Sequence, residues 1–166
     1  MSEIMNQGKV KFPLVGPIRE LLEHRALWLY YIYNESKNNK IDIAYCIERG
    51  ITRCGIYQGT NLIKKNKIRN LTGLKKALFS FFARKVFEIR IITSTQEKLH
   101  LNFHYCPLVK AWQKQNCTDD EIAILCDYAM CGDRGIAEAY NADIAIGKTI
   151  AHKNDYCDIT YTLRKG

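Results

Sequence analysis

The sequence has no long hydrophobic run. No apolar stretch approaches the roughly 20 consecutive residues that a helix needs to cross a bilayer. The first dozen residues also lack the apolar core and the small-residue cleavage site of a secretory signal peptide. We therefore expect a cytoplasmic protein with no membrane partner, in a reducing compartment where cysteines remain free thiols.

The sequence also lacks the short motifs that mark several common kinds of site. It contains no Cys-x-x-Cys, no phosphate-binding glycine loop, no dinucleotide-binding fingerprint and no Ser-His-Asp hydrolase signature. Its seven cysteines are odd in number and irregularly spaced, which argues against a disulfide framework. The chemistry must therefore be sought in the positions of the cysteines and not in a motif.

Positive charge exceeds negative charge, and one stretch concentrates it. The formal net charge is +8, and residues 64–69 followed by Lys75 and Lys76 form a basic cluster. Such a cluster is typical either of a phosphate-binding surface or of a solvated linker before a helix face. No nucleic-acid motif accompanies it, so we expect no nucleic-acid partner. A basic surface would also attract a small carboxylate substrate.

The length of 166 residues predicts a single domain of the α+β class. We expect a flexible tail at residues 1–12, a helical part at 13–85 and a sheet-containing part at 86–166. Apolar residues at helical spacing predict three helices in the helical part, over about residues 17–36, 41–57 and 71–85. These helices could serve as a lid or as the interface of a homo-oligomer.

The sheet-containing part changes between strand and helix patterns. Alternating apolar residues predict four strands in two hairpins, at about residues 87–91, 99–105, 143–151 and 156–163. Between the hairpins we expect a short helix that begins at Pro107 and a longer one that begins at a capping box, residues 118–121. The sequence thus predicts N-terminal helices and a four-stranded antiparallel sheet.

Cys106 stands where a strand pattern gives way to a helix pattern, directly before Pro107. A thiol near a helix N-terminus meets the positive end of the helix dipole, which favours the thiolate. Side chains two residues apart on a strand share a face, so a continued strand would place His104 beside Cys106 as a proton acceptor. The alternative is a small residue packed at the junction, with His104 on the surface.

Asp133 and Arg134 lie between two glycines, Gly132 and Gly135, which favour a sharp turn that presents both side chains. Asp133 is expected to cap a further helical turn or, as alternatives, to bind an amidinium group or to serve as a general base. Arg134 is then suited to hold a substrate carboxylate.

Two further cysteines are candidates for lining the same pocket. Cys126 lies on the apolar side of its predicted helix, and Cys157 alternates with apolar residues of the last strand. A zinc site is the alternative use of these groups, and its candidate ligands are Cys106, Cys126, Cys131, Cys157, His104 and Asp133. Their spacing gives no strong metal signal, so we expect no cofactor and leave zinc open.

The residues around these thiols resemble a known family. The blocks are HYCPLVKAW at 104–112, LCD at 125–127, Asp133, Ala137, TIA at 149–151 and CD at 157–158. Together they resemble the L-2-amino-thiazoline-4-carboxylic acid hydrolase family over roughly residues 87–163. Its members share a Cys-Pro that opens a helix, a Leu-Cys followed by an acidic residue in the next helix, and a Cys-Asp or similar pair in the last strand.

The resemblance implies the hydrolytic opening of a cyclic isothiourea that carries a carboxylate. The Cys106 thiolate would attack the ring carbon and His104 would move the proton. Asp133 would hold the protonated amidine and Arg134 the carboxylate, while Cys126 and Cys157 would line the pocket. Because a shared fold does not establish the reaction, a non-enzymatic small-molecule-binding or sensor domain, with or without structural zinc, is the alternative.

Overall fold

The structure is a computed structural model that describes residues 2–165. Its helices are α1 (Val15–Asn38), α2 (Ala44–Asn66), α3 (Leu71–Leu78), α4 (Phe81–Val86), α5 (Pro107–Lys114) and α6 (Asp119–Ala139). Its strands are β1 (Ile89–Ser94), β2 (Lys98–Phe103), β3 (Ala142–Ile146) and β4 (Cys157–Leu163), with a 3₁₀ turn at Ile150–His152. N-terminal helices followed by an antiparallel sheet with helices between its hairpins confirm the predicted α+β class.

Helix α2 contains glycines, which the sequence alone predicts to weaken a helix. A Cβ atom added at Gly55 would lie 2.1 Å from the carbonyl oxygen of Gly132 in α6. A Cβ atom added at Gly135 would lie 2.2 Å from the carbonyl oxygen of Thr52. The two helix backbones therefore touch at this crossing, and only glycine leaves room for the contact.

Helix α6 corrects the predicted turn around Asp133. It is continuous from Asp119 to Ala139 and begins with the predicted capping box of Thr118 and Glu121. Its glycines lie inside the helix because their contact with α2 offsets the cost of about 1 kcal/mol that each glycine adds in a helix interior. Asp133 is therefore a mid-helix residue and caps no further helical turn.

The third predicted helix is in fact two short helices, α3 and α4, separated at Phe79 and Ser80. The Ser80 hydroxyl accepts a hydrogen bond from the Ala83 N–H and so caps α4. Of the basic cluster, Lys75 and Lys76 lie in the last turn of α3, where a helix dipole favours positive charge.

The two predicted hairpins join into one antiparallel sheet of order β1-β2-β4-β3. In its central pair, Phe103 lies opposite Cys157, and Leu101 lies opposite Ile159. These side chains face the helices. His100 is on the other face and pairs with Asp158 at 2.5 Å. The sheet therefore directs Cys157, together with its core residues, toward α5 and α6.

The N-terminal segment, residues 2–12, was predicted as a flexible tail and has no regular secondary structure. It nevertheless makes specific contacts, since Ile4 and Asn6 are buried. The Ile4 carbonyl accepts a hydrogen bond from Gln113 at 2.9 Å, and two backbone N–H groups, of Lys9 and Val10, donate to Glu88. The segment thus lies against α5 and the residue that precedes β1.

The core lies between the sheet and the helices. Trp112 is fully buried and donates from its indole nitrogen to the Ala26 carbonyl at 3.1 Å, which joins α5 to α1. Each large apolar side chain buried here contributes on the order of 1.5–3 kcal/mol. Among the residues that the structure describes, no helix is long and apolar enough to cross a membrane.

Candidate functional site

Cys106 occupies the junction between the sheet and α5. Strand β2 ends at Phe103, and Cys106 is the N-cap residue of α5 with φ −128° and ψ 111°. Pro107 restricts the residue before it to this extended region and takes the first helical position, where no N–H partner is needed. The predicted position of the thiol at a helix N-terminus is therefore confirmed.

Two opposing influences act on the Cys106 thiol. Burial is the larger and raises the pKa of Cys106 above its ordinary value, and the negative charge of Asp133 adds to this rise. The N–H groups of Val109 and Leu108, in the first turn of α5, act in the opposite direction and lower that pKa. Since burial prevails, Cys106 is a neutral thiol at neutral pH and needs a base before it can act as a nucleophile.

The Cys126 and Cys157 thiols lie in the same region as Cys106. Burial, together with negative charge on Cys106, raises the pKa of Cys126 well above its ordinary value. The same two influences raise the pKa of Cys157 to about 12, although the Ile150 N–H donates to its sulfur at 3.3 Å. Both are therefore neutral thiols that contribute polarizable, weakly polar walls.

Asp133 completes this group, which we call the thiol cluster: Cys106, Cys126, Cys157 and Asp133. Burial raises the pKa of Asp133 to about 6, although the hydrogen bond from Tyr161 and the positive charge of Arg25 lower it. The Tyr161 hydroxyl donates to the Asp133 carboxylate at 3.3 Å. At neutral pH, Asp133 is thus largely ionised but basic enough to accept a proton.

Cys106 and Asp133 combine partial exposure with strong desolvation. Both side chains are partly exposed, yet desolvation is the largest influence on the pKa of each. Titratable groups with pKa values perturbed in this way are where site chemistry is expected.

His104 lies away from this cluster. Its ring packs against Tyr156, with ring centroids 5.5 Å apart. Burial and the positive charge of Arg90 lower the pKa of His104, and Cys106 is not among the groups that shift it. The strand ends before His104, so the continued strand that would pair His104 with Cys106 does not form. The structure therefore brings Asp133, and not His104, to the thiol.

Arg134 is exposed on α6, beside Cys131. Burial raises the pKa of Cys131, and the Arg134 guanidinium lowers it. Arg25 of α1 acts on the Asp133 carboxylate more strongly than Arg134 does. Arg25 also lines a shallow surface groove between α1 and α2. Two arginines therefore act on the carboxylate of the thiol cluster.

The candidate zinc ligands form no group of the size that a metal ion needs. Within residues 2–165, no three His, Cys, Asp or Glu side chains are close enough together to hold a metal ion. Cys131 instead donates to the Asp127 carbonyl of its own helix at 3.6 Å. A zinc site stays a prediction of the sequence.

Sequence reasoning missed three residues of the site: Tyr161, Arg25 and Asn6. Tyr161 carried the strand periodicity of a core residue, and its hydroxyl partner is 28 residues away in the chain. Arg25 is one of many basic residues in the chain. Asn6 lies in the segment predicted as a tail, and its side chain bonds to the backbone of Cys106, 100 residues away. No local pattern marks contacts of such sequence separation.

Comparison with solved structures shows a shared fold. The chain is similar to a trafficking protein particle complex subunit 3 from Naegleria fowleri, solved covalently bound to palmitic acid. The TM-score is 0.54 at 12% identity, over 89% of this chain and 97% of that chain. At this identity the likeness shows the fold alone. No curated protein matches the chain.

The family model described as L-2-amino-thiazoline-4-carboxylic acid hydrolase matches residues 19–161, which is most of the chain. The match includes Cys106, Cys126, Asp133 and Cys157, and so spans the whole thiol cluster. It also extends through α1 and α2, beyond the blocks that carry the resemblance in the sequence. The chain belongs to the L-2-amino-thiazoline-4-carboxylic acid hydrolase family.

Proposed function

We propose that this protein is a cysteine-dependent hydrolase that opens a small cyclic amidine or isothiourea, such as 2-amino-thiazoline-4-carboxylate. The observation that carries this proposal is a thiol at a helix N-terminus whose pKa responds to the charge of a carboxyl that itself has a raised pKa. A thiol supplies the nucleophile, and a carboxylate supplies both a proton acceptor and a partner for an amidinium group.

In the first step, the Asp133 carboxylate takes the proton of the Cys106 thiol. The sulfur then forms a bond to the ring carbon that lies between the ring nitrogen and the ring sulfur. The N–H groups of Leu108 and Val109 offset part of the charge on the sulfur as the proton leaves. In this scheme Asp133 takes the proton-transfer role that the sequence suggested for His104.

In the second step, the tetrahedral adduct breaks one ring bond of that carbon, and the departing ring atom takes the proton held by Asp133. A water molecule then adds to the same carbon while Asp133 removes its proton. Collapse of this second adduct breaks the bond to Cys106, returns the proton to sulfur and releases a carbamoyl product. One water is consumed in the whole reaction.

The carboxylate of the substrate needs a cation. Arg25 and Arg134 both act on Asp133 from outside the thiol cluster, and Arg25 acts more strongly. We assign the substrate carboxylate to Arg25, with Arg134 as the second cation. We place Cys126 and Cys157 beside the substrate as neutral groups, since both have raised pKa values.

The experiment that tests this proposal is turnover of L-2-amino-thiazoline-4-carboxylate by the purified protein, followed by mass spectrometry. We expect ring-opened carbamoyl product from the wild type and from Cys54→Ala, whose thiol is exposed on α2. Cys106→Ala should give none. Equal product from the wild type and Cys106→Ala would contradict the role of Cys106.

A second candidate function is suggested by the likeness to a protein solved with covalently bound palmitic acid. A buried thiol among apolar groups could hold an acyl chain as a thioester and serve binding and not turnover. Incubation with palmitoyl-coenzyme A, followed by intact-protein and peptide mass spectrometry, separates the two. Stable acylation at Cys106 without turnover of the ring substrate would favour the binding function.

A further inference from the structure

The backbone of Cys106 is bonded by the side chain of Asn6, a residue near the start of the chain. The Asn6 side-chain nitrogen donates to the Cys106 carbonyl at 2.8 Å. The Asn6 side-chain oxygen accepts from the Cys106 N–H at 2.9 Å. One amide thus satisfies both backbone groups of one residue, as a neighbouring strand would do.

These bonds are needed because Cys106 lies between two regular elements. Strand β2 has ended at Phe103, so the sheet ladder no longer provides a partner for the Cys106 N–H. Helix α5 uses the Cys106 carbonyl for its first bond, from the Lys110 N–H at 3.1 Å, and leaves the N–H free. An amide side chain offers a donor and an acceptor on two separate atoms, whereas a carboxylate only accepts and a hydroxyl has both functions on one atom.

Asn6 is itself held in place. It is only 4% exposed, and Ile4, two residues before it, is 5% exposed. The Glu3 carboxylate pairs with Lys153 at 2.7 Å, and the Glu3 N–H donates to Asp119 at 3.0 Å. Contacts on both sides of Asn6 therefore dock the N-terminal segment against α5, α6 and the turn before β4.

We propose that Asn6 is a positioning residue that holds the Cys106 backbone at the N-cap of α5 and so fixes the place of its sulfur relative to the first turn of that helix. This inference rests on the proposed role of Cys106 as the nucleophile. A side chain at an N-cap can rotate away from the helix end unless the backbone that carries it is held. Two hydrogen bonds to the backbone of the reacting residue give that restraint.

The test measures Cys106 itself and needs no substrate. The rate of iodoacetamide alkylation at Cys106 is followed by peptide mass spectrometry from pH 6 to pH 11, in the full-length protein. The variants are Asn6→Ala, which removes both bonds, and Asn6→Asp, which keeps the acceptor but loses the donor. Gln7→Ala is an exposed neighbour, and Ile4→Ala loosens the same segment without touching the bonds to Cys106.

We expect the alkylation midpoint of Cys106 to rise by about half a pH unit or more in Asn6→Ala. It should rise further in Asn6→Asp, which adds negative charge near the sulfur. Gln7→Ala should keep the wild-type midpoint, and Ile4→Ala, which loosens the segment that carries Asn6, should shift it less than Asn6→Ala does. Where turnover is measurable, Asn6→Ala should lower kcat about tenfold with little change in KM.

Three results would overturn the inference. An unchanged midpoint in folded Asn6→Ala and Asn6→Asp would show that the bonds do not position the sulfur. An equal shift in Ile4→Ala would mean that docking of the segment, and not Asn6, matters. Faster alkylation in Asn6→Ala would mean that Asn6 only covers the thiol. Each result stands even if the ring substrate is never turned over.

Discussion

The helical part and the sheet-containing part of this protein treat the same residue types differently. Among the described residues, thirteen of the fifteen exposed large hydrophobic side chains precede residue 86, Trp28 and Tyr57 among them. Cys46 and Cys54 are likewise exposed on α2, whereas Cys126 and Cys157 are buried. The residue type alone therefore does not indicate whether an apolar or thiol side chain belongs to a core.

This difference between exposed and buried thiols indicates that the reactivity of each thiol depends on how strongly burial desolvates it. Burial is the largest influence on the pKa of every thiol in the cluster and raises each of them. A thiol in that setting is unreactive until a neighbouring group takes its proton. In the proposed mechanism, Asp133 is the group that takes this proton in the thiol cluster.

The largest effect that follows is the loss of turnover in Cys106→Ser. A serine hydroxyl is a far weaker nucleophile than a thiolate, so we expect kcat to fall at least about 10³-fold. Thermal unfolding should be little changed, because the two side chains are similar in size. The matched change Cys54→Ser on exposed α2 should leave kcat within about twofold. Similar losses of kcat in both variants would mean that turnover does not depend on Cys106 more than on an exposed thiol of α2.

The next effect is a difference in labelling rate between exposed and buried thiols. At pH 8 we expect Cys54 to react with iodoacetamide about 10³-fold faster than Cys157, because burial raises the pKa of Cys157 to about 12. Quantitative peptide mass spectrometry gives both rates in one sample. Comparable rates would show that the Cys157 thiol is open to solvent.

Asp133→Asn should lower the activity of the protein and raise its stability. The amide cannot take the Cys106 proton, so kcat should fall about 10²-fold to 10³-fold. Burial raises the pKa of Asp133 to about 6 in the folded state, above the ordinary value of 3.8. The folded state thus binds this proton more tightly than the unfolded state, and the ionised carboxylate costs stability at higher pH.

The variant should therefore gain roughly 1–3 kcal/mol in free energy of unfolding at pH 7. This gain should shrink as pH falls from about 6 to about 4 and vanish below that window. Urea unfolding at pH 4, 5, 6 and 7 measures it. A variant that is less stable than the wild type at pH 7 would mean that Asp133 is stabilised by Tyr161 and Arg25 more than burial costs.

Gly55→Ala tests the contact that joins the two parts. Its new methyl group would meet the Gly132 carbonyl at 2.1 Å, so the α2–α6 crossing must open. We expect a loss of about 2–3 kcal/mol in unfolding free energy. Gly50→Ala, on the same helix, meets nothing within 4 Å and should instead gain about 0.5–1 kcal/mol. Chemical denaturation of both variants measures the two free energies of unfolding. Equal values would mean that the α2–α6 crossing has room for a methyl group at Gly55.

The smallest effect is the pH dependence of the wild type. Because Asp133 must be ionised to accept a proton, kcat/KM should rise up to tenfold per pH unit below about 6 and level off above it. The residual activity of Asp133→Asn should lack this rise. A rise that persists in the variant would assign the titration to another group.

Several features of the fold follow from local sequence. Pro107 after Cys106 placed the thiol at a helix N-terminus, and residues 118–121 marked the start of α6. Alternating residues in β2 and β4 predicted which side chains face the core. These predictions held because each depends on backbone preferences and side-chain spacing within a few residues.

The site depends on contacts that no local pattern records. Gly132 and Gly135 predict a turn when read alone, and they lie inside α6 because α2 packs against them. His104 and Cys106 share a face only if the strand continues, and it ends first. Asp133 acts electrostatically on Cys106 because α6 packs against α5 and the sheet, which strand and helix periodicity cannot specify.

The sequence by itself determined the class of the fold, the approximate positions of most helices and strands, and the thiol at the start of α5. The tertiary structure alone decided which groups surround that thiol. Asn6 of the N-terminal segment bonds to Cys106, and Tyr161 of β4 bonds to Asp133 of α6, through contacts that only long-range packing provides. Burial and electrostatic fields act through space, so the pKa values that control the chemistry exist only once the chain has folded.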